Sequence, residues 1–153
     1  MDGLIIKPCW LERILERGKR IEVRGHQTKK IGEKIYLIES KGNVVATAVI
    51  SKVIKFDEQS WENTKPLHQV EITYSSLKTR YKTPCGWCLE DVEPIEPFDY
   101  VKHQGAVIWV KDVDFTEAQK ERLHNSFLKN TASSVPDVAN IVALGTARIE
   151  IVR

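Results

Sequence analysis

The residues of this sequence best suited to chemistry lie in GKRIEVRG, Gly18 to Gly25. Lys19, Glu22 and Arg24 gather where a helical period gives way to an alternating one. Glu22 and Arg24, two positions apart on a strand, project to the same side. Two cations flanking one carboxylate can hold each other in place and still offer positive charge to a ligand. The plainer reading is a solvated set of ion pairs, which adds little to stability. A second constellation is CGWC, with Cys85 and Cys88. A redox dithiol sits where a strand meets a helix whose N-terminus stabilises the thiolate, whereas CGWC runs into CLEDVEPI, which alternates as a strand. Zinc needs two further ligands, and no second C-x-x-C or close histidine pair supplies them. Unless Cys9 and the isolated histidines converge on them, Cys85 and Cys88 are left as free thiols, Cys88 on the opposite side of the strand from Trp87, and neither a metal nor a cofactor is expected. His26, His68, His103 and His124 are scattered, and the sequence has no H-E-x-x-H, G-x-S-x-G or glycine-rich phosphate loop. His68 and His103 are expected at the surface or a barrel rim.

The elements that must position these residues follow from periodicity. In PCWLERILERG, Trp10, Leu11, Ile14 and Leu15 recur at helical spacing, with Pro8 suited to the first turn and Gly18 to the stop. RIEVR then alternates as a half-buried strand with a charged polar side. KIYLIES and VVATAVISKVIKF read as strands joined by a turn at KGN, Lys41 to Asn43. Asp57 to Pro66 reads as a loop, HQVEITY as a strand and SSLKTRY as a short helix or turn. GWCLEDVEPI and GAVIWVKDV complete the strands. Thr116 and Gln119 offer a capping box to a helix beginning near Asp114. Beyond it SSVPDVANIVALG reads as a loop and ARIEIVR as a strand. Several short strands and one early helix predict a closed or half-closed β-barrel, not a βαβ fold.

The 153 residues suffice for one domain with a real core, and 42% apolar with 29% charged residues is ordinary for a globular protein. No apolar run approaches the ~20 residues that span a bilayer, so no membrane is expected as a partner. The start MDGLIIKPCW lacks a basic signal-peptide pattern, and three cysteines do not make a secreted disulfide framework. A cytoplasmic setting is expected. The net charge of +2 proves no polyanion partner, and a non-specific coater of DNA normally carries a stronger basic excess. Local charge is uneven, basic over residues 17 to 34 and acidic over 90 to 99.

With these residues in view, the block from Ile6 to Val49 resembles an ASCH domain, a branch of the PUA-like superfamily. The family pattern is a strand, a short helix, G-x-K-x-x-E-x-R and a strand ending in a small polar residue. Lys19, Glu22 and Arg24 stand at that spacing, Ser40 ends IYLIES, and VVATAVI follows. Tyr81, the strand through Trp87, Cys88 and Leu89, and HQGAVIWV are similar to later family segments. The likeness spans about residues 4 to 111. It departs at the pattern's glycine, which should fall at Arg17 and comes one place late as Gly18.

The resemblance implies a β-rich α+β fold, a PUA-like β-barrel over residues 1–111; residues 112–153 fall outside it and are expected to form a helix-containing extension that packs on the same domain or pairs at its edge. It implies a cleft beside the early helix with Lys19, Glu22 and Arg24 on its floor, binding RNA or a nucleotide-like ligand. Lys19 and Arg24 would meet phosphate or carbonyl oxygens, and Glu22 would accept from a base amine. Ser40 belongs to the same implied site. Trp10 and Trp87 are the stacking candidates, although packing is the simpler role for both. Some relatives are amidohydrolases of acylated cytidine, in which a lysine at the place of Lys19 assists a threonine nucleophile at the place of Glu22. A glutamate cannot repeat that hydroxyl chemistry. The alternative is a metal-independent hydrolase acting on RNA or an acylated nucleoside, with Lys19 and Glu22 as its catalytic pair.

Overall fold

The computed structural model of the protein describes residues 1–133; ARIEIVR and nearly all of SSVPDVANIVALG lie outside the described residues. The chain separates into two units, residues 1–115 and 116–153. The first is an α+β unit built on a six-stranded sheet. Its elements are β1 (Gly3–Ile6), α1 (Pro8–Glu16), β2 (Ile21–Arg24), β3 (Lys34–Glu39), β4 (Val44–Lys55), α2 (Glu58–Asn63), α3 (Lys65–His68), α4 (Tyr74–Arg80), β5 (Cys85–Phe98) and β6 (Trp109–Val110). The described part of the second unit is α5 (Glu117–Ser133), where the Gln119 N–H bonds the Thr116 hydroxyl at 3.2 Å as an N-cap.

The strands lie in the order β2-β5-β4-β3-β1-β6; β1 runs parallel to β3 and every other pairing is antiparallel. The expected turn at KGN joins β3 to β4, with Lys41 at φ 63° and the Gly42 N–H bonded to the Glu39 carbonyl. The sheet has free ends, yet it curls. Arg24 on edge strand β2 donates from Nη2 to the Ile5 carbonyl of β1 at 2.9 Å. Trp87 of β5 stacks on Trp109 of the opposite edge, with centroids 5.8 Å apart. Three register shifts along the β4–β5 pair permit the bend. The result is a half-barrel.

Apolar alternation sends one set of side chains inside the curl and the other beneath the helices. Leu4, Ile6, Leu11, Ile14, Leu37 and Trp87 are among the residues filling the inner cluster. Ile21, Phe56, Trp61, Leu77 and Cys88 form a second cluster under α2 to α4. Cys85 and Trp87 belong to the inner cluster and Cys88 to the second, so the two thiols occupy opposite faces of β5. Gly86 between them is required by packing: an added Cβ would lie 2.6 Å from the Phe56 ring and 2.7 Å from Ile21 Cγ2.

Three expected elements differ. The stretch from Asp57 to Pro66 is helical. Asp57 accepts the Ser60 N–H at 2.7 Å while the Ser60 side chain accepts the Asp57 N–H at 2.9 Å, a reciprocal cap with serine where glutamate is usual. Pro66 lies in the first turn of α3. HQVEITY is not a strand: Gln69 turns through φ 58° and Thr73 caps α4, so the segment links two helices. GAVIWVKDV contributes only Trp109 and Val110 as strand, because β6 pairs β1 over two residues and Gly105 at φ 88° precedes it in a turn.

Candidate functional site

Helix α1, the turn at Gly18 and strand β2 set the charged triplet. Gly18 sits at φ 72°, a conformation that costs glycine nothing, and ends the helix so that Lys19 enters the core. Across the β2–β5 pair Glu22 faces Trp87 and Arg24 faces Cys85. Directly opposed residues share a face, so the charged side of β2 looks into the curl with Trp87 and Cys85. It is not the solvated side of a half-buried strand. Ile21 packs on the opposite side, against the cluster under the helices.

Lys19 is 1% exposed. Its ammonium donates to the carbonyls of Ile21, at 2.7 Å, and His68, at 2.5 Å, and lies 4.9 Å from the Trp10 ring centroid. Burial pulls its pKa down to about 8, with Glu22 opposing the shift. Glu22 is 5% exposed. Burial pushes its carboxyl above the ordinary value against the pull of Arg24 and Lys19. Its Oε1 lies 3.2 Å from Arg24 Nε, but that N–H is not aligned as a hydrogen bond, and Oε2 has no partner among the described residues. The Arg24 guanidinium lies 5.6 Å from the Trp87 ring centroid.

Two adjoining chambers open beside this triplet. The larger, about 320 Å³, is lined by Lys7, Arg24, Ser40 and Ile108 among others. The smaller, about 80 Å³, has Lys19, Val70, Ile72 and Arg80 in its wall. Trp10, Glu22, Val23 and Tyr81 line both. Of the residues expected at the site, Lys19, Glu22, Arg24, Ser40 and Trp10 therefore border one cleft. Trp87 does not: it is fully buried, its indole N–H bonds the His26 carbonyl at 2.9 Å, and it touches the site only beneath Arg24.

Tyr81 and Arg80 belong to the cleft wall without any charge pattern to announce them. Tyr81 is held against Gly25, where an added Cβ would lie 2.5 Å from the tyrosine ring. His68 is neither at the surface nor on a rim. It is fully buried and stacked on Trp61 with centroids 3.7 Å apart. Its Nδ1 accepts the Val70 N–H at 3.0 Å, which assigns the proton to Nε2, 2.8 Å from the Trp61 carbonyl. Burial lowers its pKa, and its backbone carbonyl holds Lys19. Among the described residues no three His, Cys, Asp or Glu side chains are grouped to hold a metal, and no helix is long and apolar enough to cross a membrane.

No protein-family model matches the sequence, and no curated protein matches it. Solved structures do match. The ASCH protein of Zymomonas mobilis superposes with a TM-score of 0.57 at 12% identity, covering 81% of this chain and 93% of that one. Two single-residue mutants of the same protein give 0.56 and 0.55 at the same identity and share of this chain, covering 94% and 96% of theirs. At that identity the likeness is one of architecture: this chain shares the α+β fold of the Zymomonas mobilis ASCH protein.

Proposed function

We propose that the protein binds RNA or a nucleotide-like ligand in the cleft bordered by Trp10, Lys19, Glu22, Arg24, Ser40 and Tyr81. The observation that carries this reading is the carboxylate of Glu22, buried between two cations with one oxygen unpartnered among the described residues. A buried polar atom without a partner costs about 1–3 kcal/mol, a cost that a ligand N–H would remove. Trp10 and Tyr81 supply the aromatic surface on which a base can stack, and Lys7 and Arg80 supply exposed positive charge at the margins. The ASCH fold, found in the Zymomonas mobilis protein, supports the same reading. We infer that residues 1–111 form the binding domain and residues 112–153 an extension of it, and that the protein works in the cytoplasm.

The test is fluorescence anisotropy of short single-stranded RNAs with wild type, Arg24→Ala and Glu22→Gln. Both variants are expected to bind at least tenfold more weakly while keeping a cooperative melt. Unchanged affinity in both would remove the cleft from any role in binding. Lys19→Ala is a poorer probe, because Lys19 also ties down two backbone carbonyls.

A second reading draws on the opposed pKa shifts of Lys19 and Glu22 within one cleft, a pattern found at catalytic sites. It makes the protein a metal-independent hydrolase of RNA or an acylated nucleoside, with Glu22 as base toward water. Turnover lost in Glu22→Gln would support it, and turnover surviving that change would place the activity elsewhere.

A further inference from the structure

We infer that the cleft, if it binds nucleic acid as proposed above, selects an imide edge of the uracil type. Lys19 lines only the smaller chamber, Arg24 only the larger, and Glu22 both. Along the shared wall the order is therefore donor, acceptor, donor. Each member has capacity left. An ammonium carries three donors, and two of those on Lys19 are engaged by Ile21 and His68. Arg24 gives one Nη2 N–H to Ile5 and turns its Nε to Glu22 Oε1 at 3.2 Å, so its spare donors are the remaining Nη hydrogens. Glu22 Oε2 is buried and unpartnered among them.

The complement of donor–acceptor–donor is acceptor–donor–acceptor. Among the bases only uracil and thymine present it, as a ring N–H between two carbonyls. Cytosine offers one amine donor beside two acceptors, guanine one acceptor beside two donors, and adenine a donor beside an acceptor. Each of these would set an amine against a cation or a lone pair against the carboxylate, leaving buried groups unpaired. A site built to pair a polar edge rejects an edge that cannot pair far more strongly than a mere misfit in volume. Trp10 and Tyr81, common to both chambers, flank the position of the ring, and Lys7 and Ser40 of the larger chamber lie where the sugar and phosphate would leave it.

The test compares hexamers of uridine, cytidine and adenosine, a uridine hexamer methylated at every ring N3, and a thymidine hexamer, by quenching of tryptophan fluorescence. Uridine is expected to bind at least tenfold tighter than cytidine or adenosine, and N3 methylation to abolish that advantage. Glu22→Gln is expected to erase the preference as well. The thymidine arm tells a ribose requirement from recognition of the imide alone. Equal binding of the methylated hexamer, or a preference for cytidine or adenosine, would overturn the base assignment. If the RNAs bind without preference and Arg24→Ala still weakens them, the imide reading falls and the cleft stands. Failure of every hexamer to bind would overturn both.

Discussion

Burial shifts the pKa values of Lys19 and Glu22 in opposite directions, each against its charged form. The folded pKa of Lys19, about 8, lies below its ordinary 10.5, so its contribution to stability is complete only above 10.5 and is lost as pH falls through 8. Glu22 is shifted the other way, so its contribution is complete below its ordinary 4.5 and lost as pH rises through the folded value. Near neutrality both work against folding, as expected of groups kept for binding. Glu22→Gln is accordingly expected to melt at or above the wild-type temperature at pH 7 even though it loses ligand. A large fall in melting temperature would show that the Arg24 ion pair outweighs the burial of the carboxylate. Lys19→Met should behave differently, because it leaves the Ile21 and His68 carbonyls without a donor: a loss of about 2–4 kcal/mol is expected in urea unfolding. His68 is buried neutral with a lowered pKa, so its share of stability is present above pH 6.5 and lost as pH falls toward the folded value. Wild type should lose stability between pH 7 and 5 more steeply than His68→Phe, as urea titrations at the two pH values would show.

At the scale of elements, β2 is the piece that turns sequence into site. Its alternation was legible, but an alternating strand does not say which side meets water. Pairing with β5 settled that, since Glu22 opposite Trp87 must share the inner face. The short helices α2 and α3 hid because their start uses an aspartate–serine cap, and because a buried Trp61 in a polar stretch carries no period. Tyr81 depends on Gly25 in the turn after β2. Gly25→Ala would push the tyrosine ring out of the cleft wall, since the new methyl meets ring atoms at 2.5 and 3.1 Å. We expect RNA affinity to fall about fivefold or more, with a melting temperature within a few degrees of wild type. Unchanged affinity in the same anisotropy assay would mean that Tyr81 does not touch the ligand.

For the whole molecule, the three buried clusters among the described residues lie entirely within residues 1–115. A chain ending at Phe115 is therefore expected to unfold cooperatively, with its melting temperature and RNA affinity close to those of the full chain. Circular dichroism melts and anisotropy would check this. A drop of ten degrees or more would mean that the extension completes the core. With a net charge of +2 and few cations at the cleft, RNA binding should weaken only modestly with salt. A log–log slope of roughly −1 to −2 corresponds to about two or three phosphate contacts at ~0.7 per contact.

The amino-acid sequence alone determined the early helix and its stop at Gly18, the strands β2 to β5, and the nearness of Lys19, Glu22 and Arg24. These follow from period, turn chemistry and spacing, all of which act over a few residues. Only the tertiary structure decided that the triplet faces inward, that Tyr81 and Arg80 join it and that His68 is a buried strut. Those outcomes depend on the curl that brings β2 to β1 and β5 to β6, and on helices packed under the far face. Such contacts join residues tens of positions apart, and no local pattern encodes which of two alternating faces they enclose.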